Sequence, residues 1–140
     1  MLEEFANDTR VVHIKEHYDV YIGRGSEWGN PYTHIKNRAT KADFIVRNRE
    51  EAISSYKNWI LSQPELMKKL SALKGKILGC WCKPDKDCHG DILADLCNLM
   101  TTLRITQVST LVEIYRLKVQ HDIDRKGDNS SFKSSSEALF

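Results

Sequence analysis

The chain has 140 residues, of which 41% are hydrophobic and 29% charged, and a net charge of +2. That length and apolar content predict one compact domain with its own core and argue against a second. No apolar run approaches the ~20 residues needed to cross a bilayer, and Met1-Leu2-Glu3-Glu4-Phe5 lacks the basic and apolar parts of a secretory signal, so no membrane association and a cytoplasmic location are expected.

The small net charge hides an uneven distribution. Residues 36–83 hold eleven Lys/Arg against four Asp/Glu, an excess of seven, whereas residues 1–35 hold three against six. A basic middle suits a polyanion such as nucleic acid. The same lysines would equally serve to solvate helix surfaces.

In chain order, residues 1–9 are polar and expected to be flexible. Val11-Val12-His13-Ile14 and Val20-Tyr21-Ile22 read as two short strands, which Lys15-Glu16-His17-Tyr18-Asp19 would join as a hairpin. Gly23-Arg24-Gly25-Ser26-Glu27-Trp28-Gly29-Asn30-Pro31 follows as a loop in which glycine permits close approach of a ligand to the backbone. Thr40 with Asp43, and Asn48 with Glu51, have the spacing of helix N-caps. Ala52, Ile53, Tyr56, Trp59 and Ile60 form the apolar stripe of a helix from Arg49 to Leu61. Pro64 suits the first turn of a second helix, buried through Leu66, Met67, Leu70 and Leu73 and ended by Lys74-Gly75.

Lys76-Ile77-Leu78-Gly79-Cys80-Trp81 is a strand-length apolar run, and Lys83-Pro84-Asp85-Lys86-Asp87 a polar turn that ends it. Ile92, Leu93, Leu96, Cys97 and Met100 then recur at helical spacing, which puts Cys88, His89 and Asp91 at or near a helix N-terminus. A further helix is expected from about Val108, where Val108, Leu111, Val112 and Tyr115 share a face. Beyond Asp122 the composition turns to Asp, Lys, Gly, Asn and Ser, and residues 122–140 are expected to form a disordered tail. The fold class is therefore α/β: a small sheet flanked by helices in a single domain over residues 10–121.

The chemistry concentrates where the third strand meets the helix start. Four cysteines, two of them one residue apart in a strand, fit a reducing compartment better than a disulfide framework. Cys80 and Cys82 point to one face of their strand, and with Cys88 and His89 they could hold a tetrahedral zinc ion, although C-x-C followed by adjacent C-H is not one of the usual ligand spacings. Cys97 fits the core. Cys88 at a helix N-terminus beside His89 could instead be an activated thiolate. His89 and Asp91 could form a general acid/base with its positioning carboxylate, while Asp91 could equally serve the helix dipole. Arg24, between Gly23 and Gly25, could grip a phosphate. Trp28 could stack on a base or plug the loop, and Asn30 could contact a ligand or cap its own turn.

The blocks Tyr21-Ile22-Gly23-Arg24-Gly25, Trp28-Gly29-Asn30-Pro31-Tyr32, Gly79-Cys80-Trp81-Cys82 and Cys88-His89-Gly90-Asp91-Ile92-Leu93-Ala94 resemble those of the bacterial and phage family known as domain of unknown function 4326. The resemblance covers residues 10–100. It implies that the glycine-arginine-glycine loop, the W-G-N-P turn, the C-W-C strand end and the C-H-G-D helix start, with Pro84, belong to one site. The turn between Cys82 and Cys88 is one residue longer than the family pattern, which weakens a fixed four-ligand geometry. Glu27 stands where a small or basic residue is expected and is given no catalytic role.

Together these features predict a nucleic-acid-processing enzyme, a DNA endonuclease or lyase acting at phosphodiester or abasic positions. Its catalytic group would be His89, Asp91 and Arg24. Gly23, Gly25, Trp28, Asn30, Lys83 and Cys88 would bind the substrate, with Lys83 the candidate amine of a lyase. No cofactor is assigned, with zinc or another divalent metal left open. The alternatives are a zinc-stabilised module that binds nucleic acid or protein without catalysis, using Cys80, Cys82, Cys88 and His89 as ligands, and an enzyme acting on a nucleotide or sugar phosphate. Residues after 100 lie outside the resemblance and could serve a protein partner.

Overall fold

A computed structural model describes residues 8–34, 44–82 and 88–129. Among these residues five short strands and four helices form an α/β arrangement: β1 (Arg10–His13), β2 (Val20–Tyr21), β3 (Tyr32–Thr33), β4 (Phe44–Ile45), α1 (Arg49–Leu61), α2 (Pro64–Lys69) with a following 3₁₀ turn (Leu70–Leu73), β5 (Ile77–Cys80), α3 (His89–Leu103) and α4 (Val108–Asn129). The main sheet has the order β1-β5-β2, and both neighbours run parallel to β5. The first two strands therefore do not form the hairpin that their spacing suggests. β5 is the most buried strand, with Leu78, Gly79 and Cys80 enclosed, and inserting it between β1 and β2 pairs both of its edges, which a buried backbone requires.

The crossover from β1 to β2 is only six residues long. It begins where Ile14 N–H donates to the Cys80 carbonyl (3.1 Å) and ends where Asp19 N–H donates to the Ile77 carbonyl (2.7 Å), so it runs back along β5 from its C-terminal to its N-terminal end. The Asp19 carboxylate fastens this end by accepting from Ile77 N–H at 2.9 Å. Tyr18 lies over the strand on the way. A Cβ on residue 79 would stand 2.6 Å from Tyr18 Cγ, so only glycine leaves space for the ring.

The helices bury a common core that includes Ile22, Tyr56, Ile60, Leu70, Leu78, Leu93, Leu96 and Leu111. α1 follows the predicted cap: the Asn48 side chain accepts from Glu51 N–H at 2.8 Å, and Ala52, Tyr56, Ile60 and Leu61 are buried. Pro64 occupies the first turn of α2, where its missing N–H costs nothing. Gly75, at φ 74°, makes the left-handed turn into β5. α3 meets the sheet closely, because a Cβ at Gly90 would fall 2.5 Å from Ile22 Cδ1.

Two elements depart from expectation. Tyr32–Thr33 and Phe44–Ile45 form a parallel two-stranded sheet, which two-residue strands give no periodicity to reveal. α4 runs to Asn129, seven residues past Asp122, where composition alone suggests a disordered tail. Extending a formed helix adds a hydrogen bond for each residue fixed, and the pairs Lys118–Asp122 (3.6 Å) and Gln120–Asp124 (3.0 Å) support this stretch. Lys83 and the candidate cap at Thr40 lie outside the described residues, as do residues 1–7 and 130–140.

Candidate functional site

The C-terminal ends of β1, β5 and β2 bring His13, Cys80 and Tyr21 to one edge of the main sheet, and the N-terminus of α3 meets them there. In open parallel sheets this edge is where ligands bind. Three thiols converge on it. Cys80 ends β5, Cys88 caps α3 by accepting from Gly90 N–H at 3.2 Å, and Cys82 lies just beyond the strand. Their sulfurs all lie within 4.8 Å of one another, and Cys80 Sγ is 2.6 Å from Cys88 Sγ.

Sulfur is also the target of nearby donors. Cys82 N–H points to Cys80 Sγ at 3.5 Å, and Arg49 Nη1 donates to Cys82 Sγ at 3.4 Å. Hydrogen bonds from the other two thiols, chiefly Cys80, together with Arg49, pull the Cys82 pKa strongly down. Hydrogen bonding with Cys82 pushes the Cys80 pKa up to about 11, and hydrogen bonding with Cys80 and Cys82 raises that of Cys88. The arrangement thus favours negative charge on sulfur at Cys82. Cys97 stands apart: it is buried against the Leu70 carbonyl (3.6 Å) and burial pushes its pKa up to about 12, the state of an inert core thiol.

His89 faces inward. Its ring is enclosed at 7% exposure, packs edge-on against Tyr56 with centroids 4.9 Å apart, and has Nε2 2.7 Å from the Ile22 carbonyl. A carbonyl can only accept, so Nε2 carries the proton and Nδ1, 3.6 Å from Cys88 Sγ, carries the lone pair. Burial lowers the His89 pKa. A neutral, enclosed imidazole anchored to backbone is poorly suited to exchanging protons with a solvent-borne substrate. Asp91 accepts from Cys88 N–H at 3.1 Å and completes a capping box at the start of α3. The Ile22 carbonyl holds the orientation of His89, a role the sequence suggests for Asp91.

The glycine-rich loop is likewise turned inward. Arg24 Nε donates to the Asn30 carbonyl (3.0 Å) and Nη2 to the Tyr32 carbonyl (2.5 Å), so two of its five donors brace the loop. The guanidinium is half-buried; burial lowers its pKa while the nearby Cys82 and Cys80 sulfurs act in the opposite direction. Asn30 is buried, accepts from Tyr32 N–H at 2.9 Å and donates to the Ala52 carbonyl at 3.1 Å. Trp28, 4% exposed, plugs the core. Gly23 and Gly29 sit where a Cβ would meet Tyr21 Oη at 2.3 Å and Arg24 Cα at 2.8 Å, respectively, and Gly25 adopts φ 102°. These glycines admit the loop's own atoms.

The outward-facing group is Trp81, which the resemblance places in the common site without a role of its own. Trp81 is 62% exposed at the end of the central strand. Its Nε1 donates to Tyr21 Oη at 3.2 Å, which in turn donates to the Arg24 carbonyl at 3.0 Å. The His13 ring meets the indole edge-on, with centroids 6.1 Å apart. In the sequence Trp81 continues an apolar strand, and only the sheet geometry reveals that it passes the end of the core.

A family model described as "Domain of unknown function (DUF4326)" matches residues 7–99. The chain belongs to the DUF4326 family. Over 90 residues it is 39% identical to the "Uncharacterized 12.4 kDa protein in nrdA-td intergenic region" of Enterobacteria phage T4, an alignment covering 64% of this chain and 77% of that protein. No solved structure matches. The DUF4326 segment contains the three clustered thiols, Arg24, Trp81 and His89, whereas α4 lies outside it. Among the described residues, no helix is long and apolar enough to cross a membrane.

Proposed function

We propose that the protein is a nucleic-acid-binding domain that seats an unpaired base of DNA on Trp81, at the edge formed by β1, β5 and β2. The observation that carries this is the exposure of a large aromatic, 62%, at the C-terminal edge of a parallel sheet, held in place by Tyr21 and His13. An indole that is anchored along its edge loses little freedom when a base stacks on it, and base–aromatic stacking contributes ~1–3 kcal/mol per base. The basic block at residues 36–83 supplies the sequence-independent attraction for phosphate. Strand cleavage through His89 receives no support from its enclosed ring, so the proposal is for binding, in line with a module that recognises nucleic acid without cutting it.

Titrating the protein with single-stranded oligodeoxynucleotides at low salt should quench and shift the Trp81 emission, and affinity should fall as salt rises. Trp81→Ala should weaken binding by roughly 5- to 150-fold, the equivalent of one stacked base, without changing the thermal unfolding midpoint. Equal binding by Trp81→Ala and wild type would overturn the proposal. Plasmid nicking on intact, abasic and single-stranded DNA, with and without chelator, addresses catalysis directly. Turnover lost in His89→Ala, with the fold intact, would restore the enzymatic role that the sequence suggests.

A further inference from the structure

The three thiols offer a second assignment, independent of what Trp81 binds. Their sulfurs come from a strand end, the turn beyond it and a helix cap, yet all lie within 4.8 Å. Zinc–thiolate bonds of about 2.3 Å at tetrahedral angles place sulfurs ~3.8 Å apart, a spacing that small side-chain rotations reach from here. Free cysteines that merely fill a core have no reason to converge in this way, and Cys97 shows the contrast by sitting in the core with its sulfur on the Leu70 carbonyl.

The surroundings are those of thiolates. Gly90 N–H, Cys82 N–H and Arg49 Nη1 all direct hydrogens at the sulfurs. Three thiolates around Zn²⁺ carry a net charge of −1, and the cations that would offset it are present: Arg49 at 3.4 Å from Cys82 Sγ and the half-buried Arg24, whose field partners include Cys82 and Cys80. His89 adds a nitrogen beside Cys88. Its Nε2–H on the Ile22 carbonyl fixes the tautomer that leaves Nδ1 bare, 3.6 Å from Cys88 Sγ. Metal-bound histidines commonly use their second nitrogen in this way, and a tetrahedral ZnS₃N centre places sulfur and nitrogen ~3.5 Å apart.

We propose that Cys80, Cys82 and Cys88 bind one zinc ion through their thiolates, with the fourth corner taken by a nitrogen or oxygen donor for which His89 Nδ1 is oriented. Binding releases the thiol protons still present and clasps the end of β5 to the start of α3 across residues 83–87. The competing arrangement of the same sulfurs is a Cys80–Cys88 disulfide, because 2.6 Å lies between a disulfide bond of ~2.05 Å and the zinc-bridged spacing.

Full-length protein from zinc-supplemented cells, purified under reducing conditions, should carry one zinc per chain by elemental analysis. X-ray absorption should place three sulfurs at about 2.3 Å and one lighter donor at about 2.0–2.1 Å. Cobalt replacing the zinc should give thiolate charge-transfer bands. Cys82→Ser, at a half-buried position that leaves the core intact, should bind at least tenfold more weakly and lose part of that band, while Cys97→Ala should retain full metal. A reduced protein with neither stoichiometric zinc nor a cobalt–thiolate band would overturn the proposal. So would an intact mass two hydrogens short, restored by reductant and mapped to Cys80 and Cys88.

Discussion

Asn30 illustrates how a residue suited to ligand contact is used up by the scaffold. An asparagine two residues ahead of a backbone N–H can close its own turn, and Asn30 does so with Tyr32 while its amide reaches the Ala52 carbonyl of α1. Deleting the side chain would leave buried backbone groups without these partners, at a cost of about 1–3 kcal/mol. Asn30→Ala should therefore lower the urea midpoint by that equivalent while leaving oligonucleotide affinity per folded molecule unchanged. Loss of affinity with full stability would return Asn30 to the binding surface. Arg24 behaves similarly: its flanking glycines suggest an exposed guanidinium, but the loop closes over it and two of its N–H groups meet carbonyls. Residue type was legible in both cases, and orientation was not, because loop direction depends on contacts distant in sequence.

At the level of elements, the start of α3 separates capping from catalysis. Asp91 sits at the third helical position and accepts from the backbone N–H of Cys88, while Cys88 Sγ accepts from Gly90. A capping carboxylate contributes roughly 0.5–2 kcal/mol and acts favourably on the positive end of the helix. Asp91→Ala should reduce unfolding free energy by about 1 kcal/mol in chemical denaturation. In the plasmid assay, a loss of turnover disproportionate to that change would revive its pairing with His89. The helices themselves were largely legible: Asn48 with Glu51, Pro64 and the onset at Val108 all carry local signals that α1, α2 and α4 obey. β3 and β4, two residues each, are not read from the sequence.

At the scale of the whole molecule, α4 extends beyond the body that the other elements form. Leu111 and Tyr115 are buried in the core, but described residues past Val119, namely Gln120, His121, Asp122 and Asp124, are exposed. A chain ended after Asp122 should thus retain its denaturation midpoint to within about 0.5 kcal/mol, the usual effect of surface changes, while losing helical signal by circular dichroism. A larger loss would mean that the far end of α4 packs on the domain. The sheet arrangement is the other feature of this scale. Adjacent apolar runs joined by a short polar turn suggest a hairpin, yet β5, more than fifty residues later, takes the place between β1 and β2.

The α/β class, the helices from Arg49, Pro64, Asp91 and Val108 with the Asn48 cap, the family, and the presence of cysteines and histidine where a strand ends and a helix begins are all readable from the sequence alone. These follow from periodicity, capping chemistry and motif spacing, all of which act over a few residues. Only the tertiary structure decided which side of each group faces the crevice. It turned Trp28 and Asn30 inward, tied His89 Nε2 to Ile22, gathered three sulfurs within 4.8 Å and left Trp81 outside the core. The physical reason is that side-chain direction at strand ends and in loops is set by the need to pair buried polar groups and fill the core, and the partners that meet those needs are distant in the chain, 67 residues for His89 and Ile22.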